Sequence, residues 1–194
     1  MTHLSEQTEG GLRAYHGKQE IKDKYLQRMK MHINADELIH GTYWQNGKGC
    51  AIGCTVETND DPHSRYPIEI GIPEWLAYLE DSLFESLPNG QAKEWPIRFL
   101  EAIPVGADLG PVLPKFCLWL LVHPEHGVLR LVDWKHDPDD RYTSKVKNAV
   151  TDVANLFKEW VRTGSPGDPA AWSAAWSAAW SAQSEQLLKL LSEA

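Results

Sequence analysis

Between Tyr142 and Arg162 the chain places Val146, Val150, Val153, Phe157 and Trp160 at intervals of four, three, four and three residues. That alternation keeps all five apolar side chains on one side of an α-helix, and a helix with such a stripe must lay it against something apolar. The run Thr163 to Pro169 then reads T-G-S-P-G-D-P, a helix stop followed by Asp168 as an N-cap and Pro169 at a first helical position. A further helix therefore starts near Pro169.

This last helix carries an AWSA repeat that sets Trp172, Trp176 and Trp180 four residues apart. At about 100° per residue each step drifts by only about 40°, so the three indoles form one ridge, which Leu187, Leu190 and Leu191 continue. Buried together, the indoles contribute roughly 10 kcal/mol gross at about 25 cal/mol per Å². Two fates answer the need to cover them. The ridge packs on the chain's own core, the stripe from Val146 to Trp160 being the natural seat, or it forms the interface of a homo-oligomer or a partner complex.

The remaining periodicity is also helical. A first helix is expected over Lys18 to His40, closed by Gly41. A second starts at Pro73, with Trp75, Leu76, Leu79, Leu83 and Leu87 on one side, and ends at Pro88-Asn89-Gly90. Pro96 is expected to divide Gln91 to Ile103 into two short helical pieces. Lys115 to His123 is apolar all round and is assigned to a helix. From Thr42 to Ile72 glycines and prolines break the pattern, with Tyr66 to Ile72 extended; Val128 to Val132 reads as a strand, and Asp137 to Asp140 as a turn. The fold class is all-α, with irregular loops and at most one or two short strands. We expect a flexible N-terminus over 1–11, a helical domain over 12–165, and a Trp/Ala/Ser repeat helix over 166–194, docked on the domain or in an interface.

Two clusters bear on chemistry. On the first helix Arg28, His32, Asp36 and His40 follow one another at intervals of four, inside or at the margin of an apolar face formed by Ile21, Tyr25, Met29 and Ile39. Just beyond lies Gly47-Lys48-Gly49-Cys50-Ala51-Ile52-Gly53-Cys54-Thr55, where a thiol at a helix N-terminus beside Lys48 would have a lowered pKa. Together they suggest a small-molecule site with Cys50 as nucleophile, His32 as base and Asp36 as its orienter, and with Tyr25, Arg28, His40 and Lys48 around the ligand. A metal reading of the same residues takes His32, Asp36 or Glu37, and His40, with Cys50 or Cys54 completing a tetrahedral set. In the bland reading the thiols are packed and Asp36 ties down Arg28 and His32 in a structural network. A further group, His123, His126 and His136 with Asp133, has no recognised metal spacing. No cofactor is named by any motif.

Composition limits the partners. The 194 residues carry a formal charge of −8, with 42% hydrophobic and 24% charged residues, so the chain has the makings of a folded core and repels a polyphosphate backbone. We expect no nucleic-acid partner. The longest apolar run, Phe116 to Val122, is far short of a membrane span, the first residues lack a signal-peptide pattern, and Cys50, Cys54 and Cys117 are an odd number. These features predict free thiols, no membrane contact and a cytoplasmic location.

Tyr15-His16-Gly17, Ala35-Asp36-Glu37, the GKGCAIGCT segment, Gly71-Ile72-Pro73, Leu79-Glu80-Asp81 and Gly106-Ala107-Asp108-Leu109 together resemble a family of uncharacterised bacterial proteins that often end in Ala-rich repeats. The resemblance implies a bacterial cytoplasmic setting and adds no reaction or substrate. Two function classes stand: a non-enzymatic binding or scaffold module that uses the Trp ridge, and a small-molecule enzyme or metal-binding protein built on the ridge and Cys50. The lack of a specific catalytic motif favours the first.

Overall fold

A computed structural model describes residues 11–132, 141–175 and 177, which are mostly helical with one two-stranded antiparallel sheet among them, as the all-α reading requires. Residues 1–10, the Asp137 to Asp140 turn, Asp133, His136, Trp176, Trp180 and the tail leucines lie outside the described residues. The chain divides into two compact units, Met1–Gly110 and Pro111–Ala194, and the break falls inside the stretch expected as one domain.

The first unit opens with a tight turn, Ala14–Gly17, in which Tyr15 (φ 54°) and His16 (φ 50°) are left-handed. Such a conformation costs a non-glycine residue about 1–3 kcal/mol and survives only where its surroundings enforce it. Here the Ala14 N–H donates to Ala107 O (3.0 Å), the Gly106 N–H to Ala14 O (2.8 Å), and the buried Tyr15 hydroxyl to Leu100 O (2.6 Å).

Helix α1, Gln19–Asn34, is shorter than the expected Lys18 to His40. Ala35 caps it and Asp36 turns left-handed (φ 55°), a conformation that Asp tolerates better than most residues. Continued helix loses here to a better use of the backbone. The Gly49 N–H donates to Glu37 O (3.0 Å), the Ile39 N–H to Gly49 O (2.8 Å), and Leu38 is buried beside them. Asn46 (φ 53°) and Gly47 (φ 80°) then turn the chain between β1, Trp44–Gln45, and β2, Lys48–Gly49, as an Asn-Gly hairpin does.

Helix α2, Ala51–Val56, is buried along its whole length and lies between α1, α3 and α4. The carbonyl oxygen of Tyr43 occupies the space where a Cβ on Gly49 or Gly53 would sit, so the chain crosses α2 at a place that only glycine leaves open. Helix α3, Pro62–Ile70, replaces the extended segment expected over Tyr66 to Ile72. Pro67 removes one helical hydrogen bond, but His63, Tyr66 and Ile70 are spaced three and four apart and all buried, so burial of that face decides the outcome. Gly71 (φ 64°) ends the helix against Arg13 O and His16 N, where a side chain would clash.

Helix α4, Glu74–Ser86, follows Pro73 as expected, and α5, Asn89–Ala102, is one helix rather than two pieces. Pro96 is itself buried within α5, and Ala92 and Leu100 one turn on either side hold the helix to the core across it.

In the second unit α6, Val112–Val122, packs on α7, Arg141–Thr163, and the segment expected as a strand is a 3-10 turn, Val128–Leu131, with no neighbouring strand to pair with among the described residues. The α7 stripe is used as its spacing demands. Val153 and Phe157 are core residues, and Trp160 and Trp172 pack at the edge with Cys117, Leu118 and Leu121. Residues 169–175 are helical, and Asp168 Oδ1 accepts the Ala170 N–H (2.8 Å) as an N-cap. No described helix is long and apolar enough to cross a membrane.

Two predictions follow from the first unit's core. Gly53→Ala should cost more than about 3 kcal/mol, because the added methyl meets backbone that cannot move aside; urea melts of the variant read this directly. Glu80 is fully buried, its Oε2 accepting the Tyr66 hydroxyl (2.8 Å) and its Oε1 left without a hydrogen-bond partner among the described residues. Burial raises its pKa from 4.5 to about 8, opposed by the Tyr66 hydrogen bond and reinforced by the charge of Asp81. Between those values the folded chain holds a proton that the unfolded chain has lost, so stability should fall as pH rises through that window, by up to about 1.4 kcal/mol per unit. Thermal melts at about pH 5 and about pH 9, which between them span most of that window, should show a larger decline for the native chain than for Glu80→Gln.

Candidate functional site

The residues expected to form a catalytic or metal site divide between two places. On α1 the end of the ridge is a closed polar network. Arg28 Nη1 donates to Thr55 O (2.7 Å) and Nη2 pairs with Glu57 (3.2 Å), while the two ring nitrogens of His32 face Glu37 (2.6 Å) and Glu57 (3.2 Å). Tyr25 donates to Glu69 (2.6 Å) beneath the Arg28 guanidinium. The bland reading named the wrong carboxylate, since Glu37 and Glu57 do the holding. Asp36 is exposed and bonded to Lys93, whose hydrogen bond and charge hold it below the usual carboxylate range. Because α1 has ended before Asp36 and His40, the interval of four no longer places them on one face. His40 instead meets Phe84 edge-on (4.8 Å), and Lys48 is exposed on β2. The set His32, Asp36, His40 and Cys50 does not converge.

Cys50 belongs to a different cluster. It is the N-cap of α2, only 1% exposed, and burial drives its thiol pKa well above the ordinary range. Hydrogen bonding from the Gly53 backbone offsets part of the rise, and the negative charge of Asp81 reinforces it. Burial likewise pushes Cys54 up to about 12, and the Cys54 thiol donates to Gly49 O (3.4 Å). The expected lowering of the Cys50 pKa is therefore corrected: Lys48 stays at the surface, and desolvation outweighs what a two-turn helix can supply.

Around Cys50 the fold gathers groups from α3, α4 and the segment before β1. Cys50 Sγ and one carboxylate oxygen each from Asp81 and Glu85 lie within 4.8 Å of one another. Asp81 Oδ2 accepts from Nε2 of the buried His63 (3.1 Å), and its Oδ1 is buried without a partner at hydrogen-bond geometry among the described residues. Both oxygens of Glu85 accept the Gly41 N–H (3.0 Å each). His63 is stacked on Tyr78 (3.9 Å between ring centroids) and met edge-on by Tyr43 (5.3 Å), which fixes the plane of its ring.

Reading the chain for apolar periodicity passed over His63, Asp81 and Glu85. A signal was present: Tyr78, Asp81 and Glu85 are spaced three and four apart on α4, a polar stripe beside the apolar one. Their convergence on Cys50 depends on how α2, α3 and α4 cross, which no local pattern encodes.

The thiol environments predict an order of reactivity. In the native protein iodoacetamide should label the half-buried Cys117 first, with Cys50 and Cys54 slower by about 10-fold or more, and labelling in denaturant should make the three alike; peptide mass spectrometry follows each site. No protein-family model, curated protein or solved structure matches the chain, and its chemistry is read from this geometry alone.

Proposed function

We propose that this protein is a non-enzymatic binding module whose partner is a second copy of the same chain, engaged through the C-terminal Trp repeat. The observation that carries this reading is the seating of Trp172. Its ring stands edge-on to Phe157 (4.7 Å) and Trp160 (6.0 Å), its indole N–H donates to Pro166 O, and Ala175 is buried with it. The start of the repeat is thus fixed to the α7 stripe. In the sequence Trp176 and Trp180 continue the ridge, with Ala and Ser between them, small enough to let a second backbone come close.

Exposed apolar side chains on the same unit, Trp119, Leu120, Val128 and Leu131, add surface of the type that assembly buries. The sealed thiols also support a binding role over nucleophilic catalysis. The bacterial, cytoplasmic setting implied by the family resemblance belongs to this reading.

The test separates the anchored part of the repeat from the rest. The full chain should sediment as a dimer or larger, with a melting temperature that rises with protein concentration. A chain ending at residue 175 keeps Trp172 and Ala175, and should be monomeric with a melting temperature independent of concentration. A full chain that remains monomeric up to the highest soluble concentration would overturn the reading.

A further inference from the structure

The cluster at the start of α2 combines three features that structural packing alone does not call for. A thiol and two carboxylates from two helices meet within 4.8 Å, although like-charged Asp81 and Glu85 repel each other one turn apart on α4. Asp81 Oδ1 is buried, and among the described residues the only donor near it is the weak S–H of Cys50, which does not reach hydrogen-bond geometry; an oxygen so poorly satisfied costs about 1–3 kcal/mol. The other oxygen of Asp81 is held by His63, itself fixed between Tyr78 and Tyr43, so the unpartnered oxygen is held in place rather than free to rotate outward.

We infer that Cys50, Asp81 and Glu85 bind a borderline divalent cation of the zinc type, with His63 as a positioning residue that holds Asp81. A cation placed between the three groups would be met by an Asp81 oxygen and would remove the repulsion between the two carboxylates. The thiol selects the class of ion: one sulfur with two carboxylate oxygens suits zinc, cobalt or iron(II), whereas calcium and magnesium take oxygen ligands alone. Three protein ligands leave a fourth position for water. Binding breaks the Cys50 S–H bond, the sulfur electron pair goes to the metal, and the proton goes to solvent, so one proton is released per ion bound.

His63 does not touch the ion. It acts as the partner that fixes a ligating carboxylate, the role for which removal typically costs about 10–100-fold in affinity. The Gly41 N–H plays the same part for Glu85 at the more open side of the site. Because Cys50 begins α2 while Asp81 and Glu85 lie on α4, the ion would tie the two helices directly.

The test uses the full chain, purified without an affinity tag and freed of metal with a chelator. Zinc titrated calorimetrically in two buffers of different ionisation enthalpy should bind one equivalent per chain, with release of one proton. Cobalt(II) should give the near-ultraviolet charge-transfer band of a thiolate ligand. Cys50→Ser should abolish that band, Asp81→Asn and Glu85→Gln should each weaken zinc binding by about 10-fold or more, and His63→Phe should weaken it by about 10–100-fold while keeping the band. Glu85 is exposed, so Glu85→Gln keeps the fold and tests the site even where Cys50→Ser or Asp81→Asn does not fold; circular dichroism reports which do. Failure of the native chain to bind zinc or cobalt, or binding that Glu85→Gln and Cys50→Ser leave unchanged, overturns the inference.

Discussion

The first unit depends on one close approach, the peptide of Tyr43 lying directly on Gly49 and Gly53. Nothing but backbone separates the crossing segment from α2, and the Cys50 N–H donates to Thr42 O (2.7 Å) at the same place. From this contact follow the pairing of Glu37 and Ile39 with Gly49, the early end of α1, and the burial of every residue of α2. It also sets the Gly41 N–H on Glu85 and the Tyr43 ring on His63. The GKGCAIGCT segment, which invites a chemical reading because of its cysteines, is first a steric solution. Two of its three glycines are required by packing, and both Cys50 and Cys54 are buried as a consequence.

Polar groups inside this unit are handled in two ways with different energetic outcomes. At the end of α1, Arg28, His32, Glu37 and Glu57 satisfy one another and Thr55 O, so each charge has a partner at hydrogen-bond distance. Such a network joins the end of α1 to the end of α2 and gives the joint a defined geometry at little net cost. Along α4 the polar groups are less well satisfied: Glu80 Oε1 and Asp81 Oδ1 are buried with no partner at hydrogen-bond geometry among the described residues. Glu80 resolves its own difficulty by keeping its proton, which is what a pKa near 8 means for a buried carboxyl bonded to a tyrosine. Asp81 has a His63 donor on one oxygen, while its other oxygen has no partner at hydrogen-bond geometry among the described residues.

What could be read from the sequence was what depends on local spacing. The α7 stripe, the stop after Thr163, the Asp168 cap and the Pro73 start of α4 are each encoded within a few residues, and the structure uses all of them. Rules about proline and glycine misled where burial outweighed them: Pro67 and Pro96 both lie inside helices because the faces they share with Tyr66, Ile70 and Leu100 are core. The ridge from Arg28 to His40 failed for the opposite reason. Its arithmetic assumed continued helix, and the left-handed turn at Asp36 is stabilised by pairing with a residue more than ten positions away. Of the candidate site only Cys50 was found, since His63, Asp81 and Glu85 reach it by the crossing of three helices.

The order of groups around Cys50 decides between the chemistries that its neighbours allow. A thiol activated for attack needs a base that takes its proton, with a carboxylate behind the base to orient it. Here the carboxylate of Asp81 stands next to the thiol and the imidazole of His63 stands behind the carboxylate. An anion beside the sulfur disfavours the thiolate, and the buried thiol is driven further from ionisation. The same order suits a cation: the sulfur and the carboxylates become ligands of one positive centre, the charge that opposed the thiolate is neutralised, and the imidazole keeps the carboxylate aimed at the ion. The arrangement that rules against a nucleophile is therefore the one that argues for a metal ligand.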